Sequence, residues 1–372
     1  MKINRLPLLM IAAAVICALL GGCAGARAQT RDSVSVWYIE GDALAGSLAQ
    51  AASEYNGAVE DGLLGVSLRS FSDEAALSAA FESGRPDLLL CSTAKAVDLY
   101  ERGVLRDVGA ALSGGAPAYP DCLSSRFDGV GRGFFPLGSS VQLLYSSASA
   151  GLSPALDAEE LFTLAAACGR DERLPFFTAD SFADLVYQLM LSLGSEFHAD
   201  READLRDVNY SYVYNLLADA AYDGGLVSLG YGGAELVRSG YLSCAAVRSQ
   251  SLAGLDEAGY TVSLLPVFGG SRACLADTLG LAVTAREGRS VRSISAFLSW
   301  LFQGERSGAL ALESGLVPAC TGGALLPDTA LEERLMEIYS GYELVMPDYS
   351  GDFLKNRDGF EARFRAAVEF FG

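Results

Sequence analysis

The stretch "SVSVWYIEGDALAGSLAQAASEYNG", residues 33–57, carries the pattern from which the fold is read. In 33–39, β-branched and aromatic residues alternate with serine, the two-residue period of a strand. Leu44, Leu48, Ala52 and Tyr55 then recur at helical spacing, with Asp42 as candidate N-cap and Gly57 as candidate stop. The same pair comes twice more. "GVSLRSF" (65–71) reads as a strand and "DEAALSAAFESG" (73–84) as a helix with acids at its start and glycine at its end. "PDLLLC" (86–91) and "AKAVDLYERG" (94–103) form the third pair. Three consecutive strand–helix units predict an α/β architecture with a parallel sheet covered on both faces.

Farther along, 141–147, 241–249, 260–268 and 278–285 read as strands, with a short apolar piece at 174–177. Helical stripes occupy 156–169, 181–194, 210–225, 289–302, 328–342 and 357–371. In 289–302, Val291, Ile294 and Leu301 share a face with Phe297 or Leu298, so Trp300 reads as core. "GVGRG" (129–133) lacks the glycine spacing of a dinucleotide site and reads as a loop.

The N-terminus reads as an export signal. Lys2 and Arg5 precede the apolar run Leu6–Leu20, which is shorter than the ~20 residues of a membrane span. "LGGC" (20–23) resembles the lipobox of bacterial lipoproteins, which implies cleavage before Cys23 and lipidation of its sulfur. Residues 1–22 are then the signal peptide, and 23–33 the lipidated cysteine and a small, polar tether. What remains is long enough for two domains.

The formal charge of −19 argues against nucleic acid or an anionic bilayer surface as a partner. Cys91, Cys122, Cys168, Cys244, Cys274 and Cys320 include no C-x-x-C, so no zinc framework is expected and no bridge is assigned. His198 is the single histidine, and G-x-S-x-G is absent, which argues against Ser-His-Asp, Cys-His and zinc hydrolases. Acids are plentiful, so a glycosidase built on two carboxylates stays open on composition.

Ser92-Thr93-Ala94-Lys95 matches S-x-x-K, the nucleophile spacing of penicillin-recognising serine enzymes. Those enzymes also carry S-D-N and K-T-G, and neither occurs in this chain. Ser92 and Thr93 instead fall between the end of a strand and the start of a helix. That edge of an open α/β sheet is where ligands sit, and where a hydroxyl caps a helix.

The order of motifs resembles the extracellular solute-binding proteins of ABC importers, family 1. The resemblance is carried by the opening 33–56, by "RPDLLLCSTAKAVDLYERGVLRDV" (85–108) and by "FFPLGSSVQLLYSS" (134–147). "VRSGYLSCAA", "VSLLPVFGG", "DTLGLAVTA", "ISAFLSWLFQGE" and "SGLVPA" follow in the family's order. It implies a periplasmic-binding-protein-like (type II) α/β fold of two lobes joined by hinge crossings. Lobe 1 would be 32–137 plus 268–316, and lobe 2 140–264 plus 321–372.

The ligand would lie between the lobes and be buried by hinge closure. Strand ends supply the candidates for that cleft. They are Trp37 and Tyr38; Cys91, Ser92 and Thr93; Ser139 and Ser140 at the first crossing; Phe177 and Asp180; Tyr231; Ser249 and Gln250; and Asp277. The family implies a lipid-anchored importer subunit on the outer face of the membrane. It would act as a monomer without catalysis, cofactor or metal, and pass a small polar solute, a carbohydrate first of all, to the transmembrane permease. No tryptophan follows Ser249-Gln250-Ser251, where sugar binders of this family often carry one. The alternatives are a carboxylate-based surface glycosidase and a ligand-sensing lipoprotein without transport.

Overall fold

A computed structural model describes residues 33–114, 117–120, 123, 128–172, 175–195, 208–228, 232–285, 290–320, 324–346 and 351–371. Cys23, Tyr231, Cys122 and His198 lie outside the described residues, as does the signal peptide.

The first three strand–helix units form where the sequence pattern puts them. Strand β1 (Ser33–Ile39) leads to α1 (Ala45–Ala58), β2 (Gly65–Phe71) to α2 (Glu74–Ser83), and β3 (Leu88–Ser92) to α3 (Thr93–Glu101). Asp73 caps α2 by accepting from the Ala76 N–H. Asp42 does not cap α1. Its carboxylate accepts from the Ile39 N–H at 3.0 Å and closes the turn after β1, and the helix starts later, at Ala45. Gly57 sits inside α1, which ends one residue beyond it.

The sheet is mixed, where the sequence predicts a parallel one. Strands β2, β1 and β3 are parallel. Strand β8 (Ala273–Val283) then joins β3 antiparallel, because the chain reaches it by a long return rather than through a fourth strand–helix unit. Asp87 ties β3 to β1, its carboxylate accepting from the Ser35 N–H and Oγ at 2.9 and 3.0 Å.

Strand β4 (Phe134–Ser147) is twice the predicted length and joins two regions. Its first half pairs with β8, and its second half with β6 (Cys244–Arg248) and β7 (Tyr260–Leu264). The register shifts between Pro136 and Gly138, which accommodates a residue without an N–H in a central strand. Strand β5 (Phe177–Ala179) pairs parallel with β6.

Helices cover this second region. They are α4 (Ala158–Ala167), α5 (Phe182–Ser192), α6 (Val208–Tyr222) and α7 (Gly233–Arg238). The return carries α8 (Val291–Leu301), α9 (Arg306–Glu313), β9 (Val317–Pro318), α10 (Ala330–Gly341), β10 (Glu343–Val345) and α11 (Gly351–Phe371). Sequence periodicity predicts neither α9 nor the two short strands. In α9, Gly308 faces Leu325, where a Cβ would come within 2.6 Å of a methyl carbon.

Alternation along the strands sends side chains to opposite faces. Val36, Leu88, Leu90, Phe135 and Leu281 pack with α1 and α8, while Trp37, Leu89, Phe134 and Ala282 pack with α2 and α3. On the second region, Leu144, Phe177 and Ala246 meet α4, α5, α6 and α11. Val141, Leu143, Tyr145 and Val247 meet α7 and α10. Trp300 packs half-buried against Tyr55 and Phe297. No helix of the described residues is long and apolar enough to cross a membrane.

Candidate functional site

Where β4 and β8 cross from one core region to the other, their side chains on one face enclose a small cavity of about 30 Å³. Ser140, Gln142, Leu275 and Asp277 form its floor, as the two-residue period requires. Asp184 and Gln188, one turn apart on α5, form a wall. Arg248 enters from the end of β6 and Arg357 from the C-terminal helix. Two larger depressions, of about 930 and 870 Å³, lie open to solvent around Trp300 and around Arg85 and Arg102. The small cavity gathers partly buried polar and charged side chains, and a site is expected where polar groups converge.

The walls are locked by charge. Arg248 Nη2 and Arg357 Nη2 each lie 3.0 Å from Asp184 Oδ2. Arg357 Nε lies 2.9 Å from Asp184 Oδ1, which makes that pair bidentate. Burial works against the Arg248 charge, but Asp184, Asp277 and Asp180 outweigh it and hold its pKa above the ordinary arginine value. Asp180 uses both oxygens on backbone, accepting from the Gly233 N–H at 2.8 Å and the Arg248 N–H at 3.1 Å.

Helix α11 is fixed to this corner by three side chains four residues apart. Arg357 holds Asp184, Glu361 accepts from the Ala183 N–H at 2.7 Å, and Arg365 donates to the Asp180 carbonyl at 2.8 Å. Glu361 thus satisfies an orphan donor at the first turn of α5, where a negative charge also suits the helix dipole. Ser181 caps the same helix by accepting from the Asp184 N–H.

Gln188 spends both ends on β8, donating to the Ala273 carbonyl and accepting from the Leu275 N–H. Gln142 Nε2 donates to the Ser181 carbonyl at 3.0 Å. Its Oε1 and the Ser140 Oγ are buried without a hydrogen-bond partner. Their residues are only 8% and 7% exposed, so each is a buried polar atom awaiting a partner.

Of the residues expected at the cleft, Ser140 and Asp277 line this cavity, and Asp180 supports it from behind. The other described candidates lie elsewhere. Trp37 is 2% exposed, packed on Phe71 at 4.9 Å with Arg69 over its ring, and Tyr38 leans half-buried on the opposite core. Phe177 is fully buried against Phe162. Cys91 is buried in the apolar cluster with Leu89 and Ala96, and burial pushes its thiol pKa up.

Ser92 Oγ accepts from the Lys95 N–H at 3.4 Å and is the N-cap of α3. Lys95 Nζ is ion-paired with Glu74 at 2.7 Å. Thr93 Oγ1 donates to the Thr278 carbonyl, and Ser139 Oγ meets Thr278 Oγ1 at 2.7 Å, on the face of β8 away from the cavity. Ser249 is fully buried, its Oγ accepting from the Val141 N–H at 3.2 Å. Gln250 packs under Gly315, where a Cβ would meet its Cα at 2.9 Å.

Arg248, Asp184, Gln142, Gln188 and Arg357 were not expected from the sequence. A signal exists for two of them: Asp184 and Gln188 are polar residues at i, i+4 in the apolar run 181–194. No group of three or more histidine, cysteine, aspartate or glutamate side chains able to hold a metal occurs among the described residues. Among the described residues Cys91, Cys168, Cys244, Cys274 and Cys320 form no disulfide.

No family model matches the chain, and no curated protein sequence does. Solved structures do. The GacH receptor of Streptomyces glaucescens, solved unliganded and with acarbose, superposes with a TM-score of 0.71 at 14% identity, over 91% of this chain and 94% of that one. The cyclic α-maltosyl-1,6-maltose binding protein of Arthrobacter globiformis gives 0.66 at 15%, over 91% and 99%. UgpB of Mycobacterium tuberculosis, solved with glycerophosphocholine, gives 0.66 at 17%, over 91% and 95%. At these identities the likeness is one of architecture. The long shared strand, the mixed sheet and this near-complete superposition establish that the chain has the type II periplasmic-binding-protein-like fold.

Proposed function

We propose that this chain is the substrate-binding lipoprotein of an ABC importer, which captures a small polar solute of the carbohydrate class and hands it to a membrane permease. The observation that carries the reading is the small polar cavity at the β4–β8 crossing, whose lining residues Ser140 and Gln142 each keep a buried oxygen, Oγ and Oε1, without a hydrogen-bond partner. Buried polar groups without partners are costly, and a bound solute that supplies them gains affinity. Proteins of the same fold are named for sugar binding or solved with acarbose or maltose, which supports the class.

The lobes are taken as 32–137 with 268–316 and 140–264 with 321–372, joined at the crossings. About 30 Å³ holds water but no sugar ring, so a sugar could be held here only in a form in which the two halves stand farther apart. Lipidation at Cys23 would hold the chain on the outer face of the membrane. The family's non-catalytic role is consistent with Ser92 as a helix cap. The test is a thermal-shift screen of the purified soluble chain against sugars, polyols, amino acids and phosphate esters. A ligand at 100 times its Kd stabilises the fold by about 2.7 kcal/mol. Turnover of a glycan by the pure protein, or no shift with any compound, would overturn the reading.

A further inference from the structure

We propose that Asn56-Gly57 is a site of spontaneous deamidation, held closed by a latch between the Asn56 carboxamide and the free edge of the sheet. No other asparagine of the chain precedes a glycine. Glycine carries no Cβ to shield its nitrogen, so the Gly57 backbone nitrogen has open access to the Asn56 side-chain carbon once the chain is flexible. The bond that forms joins Gly57 N to Asn56 Cγ, and the bond that breaks joins Cγ to Nδ2. Ammonia leaves with the Gly57 proton, and a succinimide ring remains. Water then opens the ring at either carbonyl, to aspartate or isoaspartate. The net reaction is the hydrolysis of one amide, with no oxidant or reductant.

The fold keeps the two groups from reacting. Strand β2 is the outer strand of the sheet and pairs with β1 alone among the described strands. On its open side Asn56 takes both backbone groups of Val66. Its Oδ1 accepts from the Val66 N–H at 2.6 Å, and its Nδ2 donates to the Val66 carbonyl at 2.9 Å. Those partners fix which end of the carboxamide is which. The side chain stands in for the neighbour that an edge strand lacks. Gly57 lies in the last turn of α1, where the helical backbone aims its nitrogen along the helix axis. Reaction therefore requires the latch to release and that turn to unwind. Asn56 is itself exposed, so water for the second step is at hand.

Gly65 shows how closely the latch is fitted. A Cβ there would come within 2.8 Å of Asn56 Oδ1, the movable end of a side chain. Gly65→Ala therefore displaces the carboxamide and spares the backbone. Deamidation breaks the same contact from the other side. An aspartate at position 56 still accepts from the Val66 N–H, but it sets a carboxylate oxygen against the Val66 carbonyl, so the converted chain does not re-form both bonds.

The test is mass spectrometry of the tryptic peptide 32–69, in which Asn56 is the only asparagine, after incubation of the purified chain at mildly alkaline pH. Conversion is read as a gain of one mass unit localised to residue 56 by fragmentation. The folded parent is expected to convert about tenfold or more slowly than the same chain unfolded in guanidinium, because only the opened fraction reacts. Gly65→Ala, checked for folding by its melting curve, is expected to convert faster than the folded parent. A folded parent that converts as fast as the unfolded chain overturns the latch, and so does a folded Gly65→Ala that converts no faster than the parent. Absence of conversion in guanidinium overturns the site itself. Hydrogen exchange at the Val66 amide is a second measurement that needs no change at position 65. Exchange is expected to be slow in the parent and faster in Asn56→Ala, and equal rates overturn the latch.

Discussion

The Arg357 guanidinium grips the Asp184 carboxylate with two parallel contacts, of 2.9 and 3.0 Å, across 173 residues of chain. Both side chains are largely out of water, at 16% and 13% exposure, so their removal is not symmetrical. Asp184→Ala leaves the two guanidiniums without the carboxylate they share. Arg357→Ala leaves Asp184 still paired with Arg248. Urea unfolding is expected to show a loss of about 3 kcal/mol or more for Asp184→Ala, and about 1–2 kcal/mol for Arg357→Ala. Equal losses would mean that Arg248 does not share the carboxylate.

Ser92 is predicted to act on stability alone through its cap. Ser92→Ala removes the acceptor for the Lys95 N–H and is expected to cost about 1 kcal/mol in denaturant unfolding. Ser92→Asp, which restores an acceptor at the helix start, is expected to recover it. A variant as stable as the parent would show that the 3.4 Å contact contributes nothing.

Gly315 holds φ at +71° directly over the Ser249 carbonyl, which a Cβ would approach to 2.7 Å. The left-handed backbone and the backbone clash act together. Gly315→Ala is expected to lower stability by about 2 kcal/mol or more. Gly151→Ala, at φ +61° with open space around it, is expected to cost only about 1 kcal/mol. Thermal melts of the two variants side by side separate the clash from the dihedral.

Burial raises the pKa of Asp42 above the usual aspartate value, against the opposing effect of the Ile39 N–H it accepts. The folded chain therefore holds that proton more tightly than the unfolded chain. The resulting stabilisation is full below about pH 4 and is lost as pH rises through the raised value. Asp42→Asn keeps an acceptor for Ile39 and removes the charge. It is expected to be more stable than the parent at pH 7, with the gap closing toward pH 4. Unfolding curves at both pH values test this, and a variant weaker at pH 7 would contradict it.

The first strands were legible because their signal is local. Residues 33–39 and 65–71 alternate cleanly, and the strands formed there have those bounds. The full length of β4 was not legible: the expected strand starts at 141, after Pro136 and Gly138. The register shift between them and the close approach of Gly138 to Leu316 explain why both fit in a central strand. The parallel sheet expected from repeated strand–helix units gives way to a mixed one because β8 returns from far along the chain. The cavity was legible only at Ser140 and Asp277. Arg248, Asp184 and Arg357 look like ordinary surface charges in sequence, and become a partly buried triad only when α11 docks on α5. Trp37 illustrates the converse: an aromatic at a strand end suggests a ligand platform, yet alternation turns its ring onto Phe71.

Strand β4 has a mechanical consequence. It is hydrogen-bonded to β8 in one half and to β6 and β7 in the other, so a single unbroken backbone is a structural member of both halves. Any rotation of one half against the other must be absorbed as twist along this strand, a torsion rod rather than a loose joint. Melting either half strips one set of partners from it, so the two should come apart together, as one calorimetric transition.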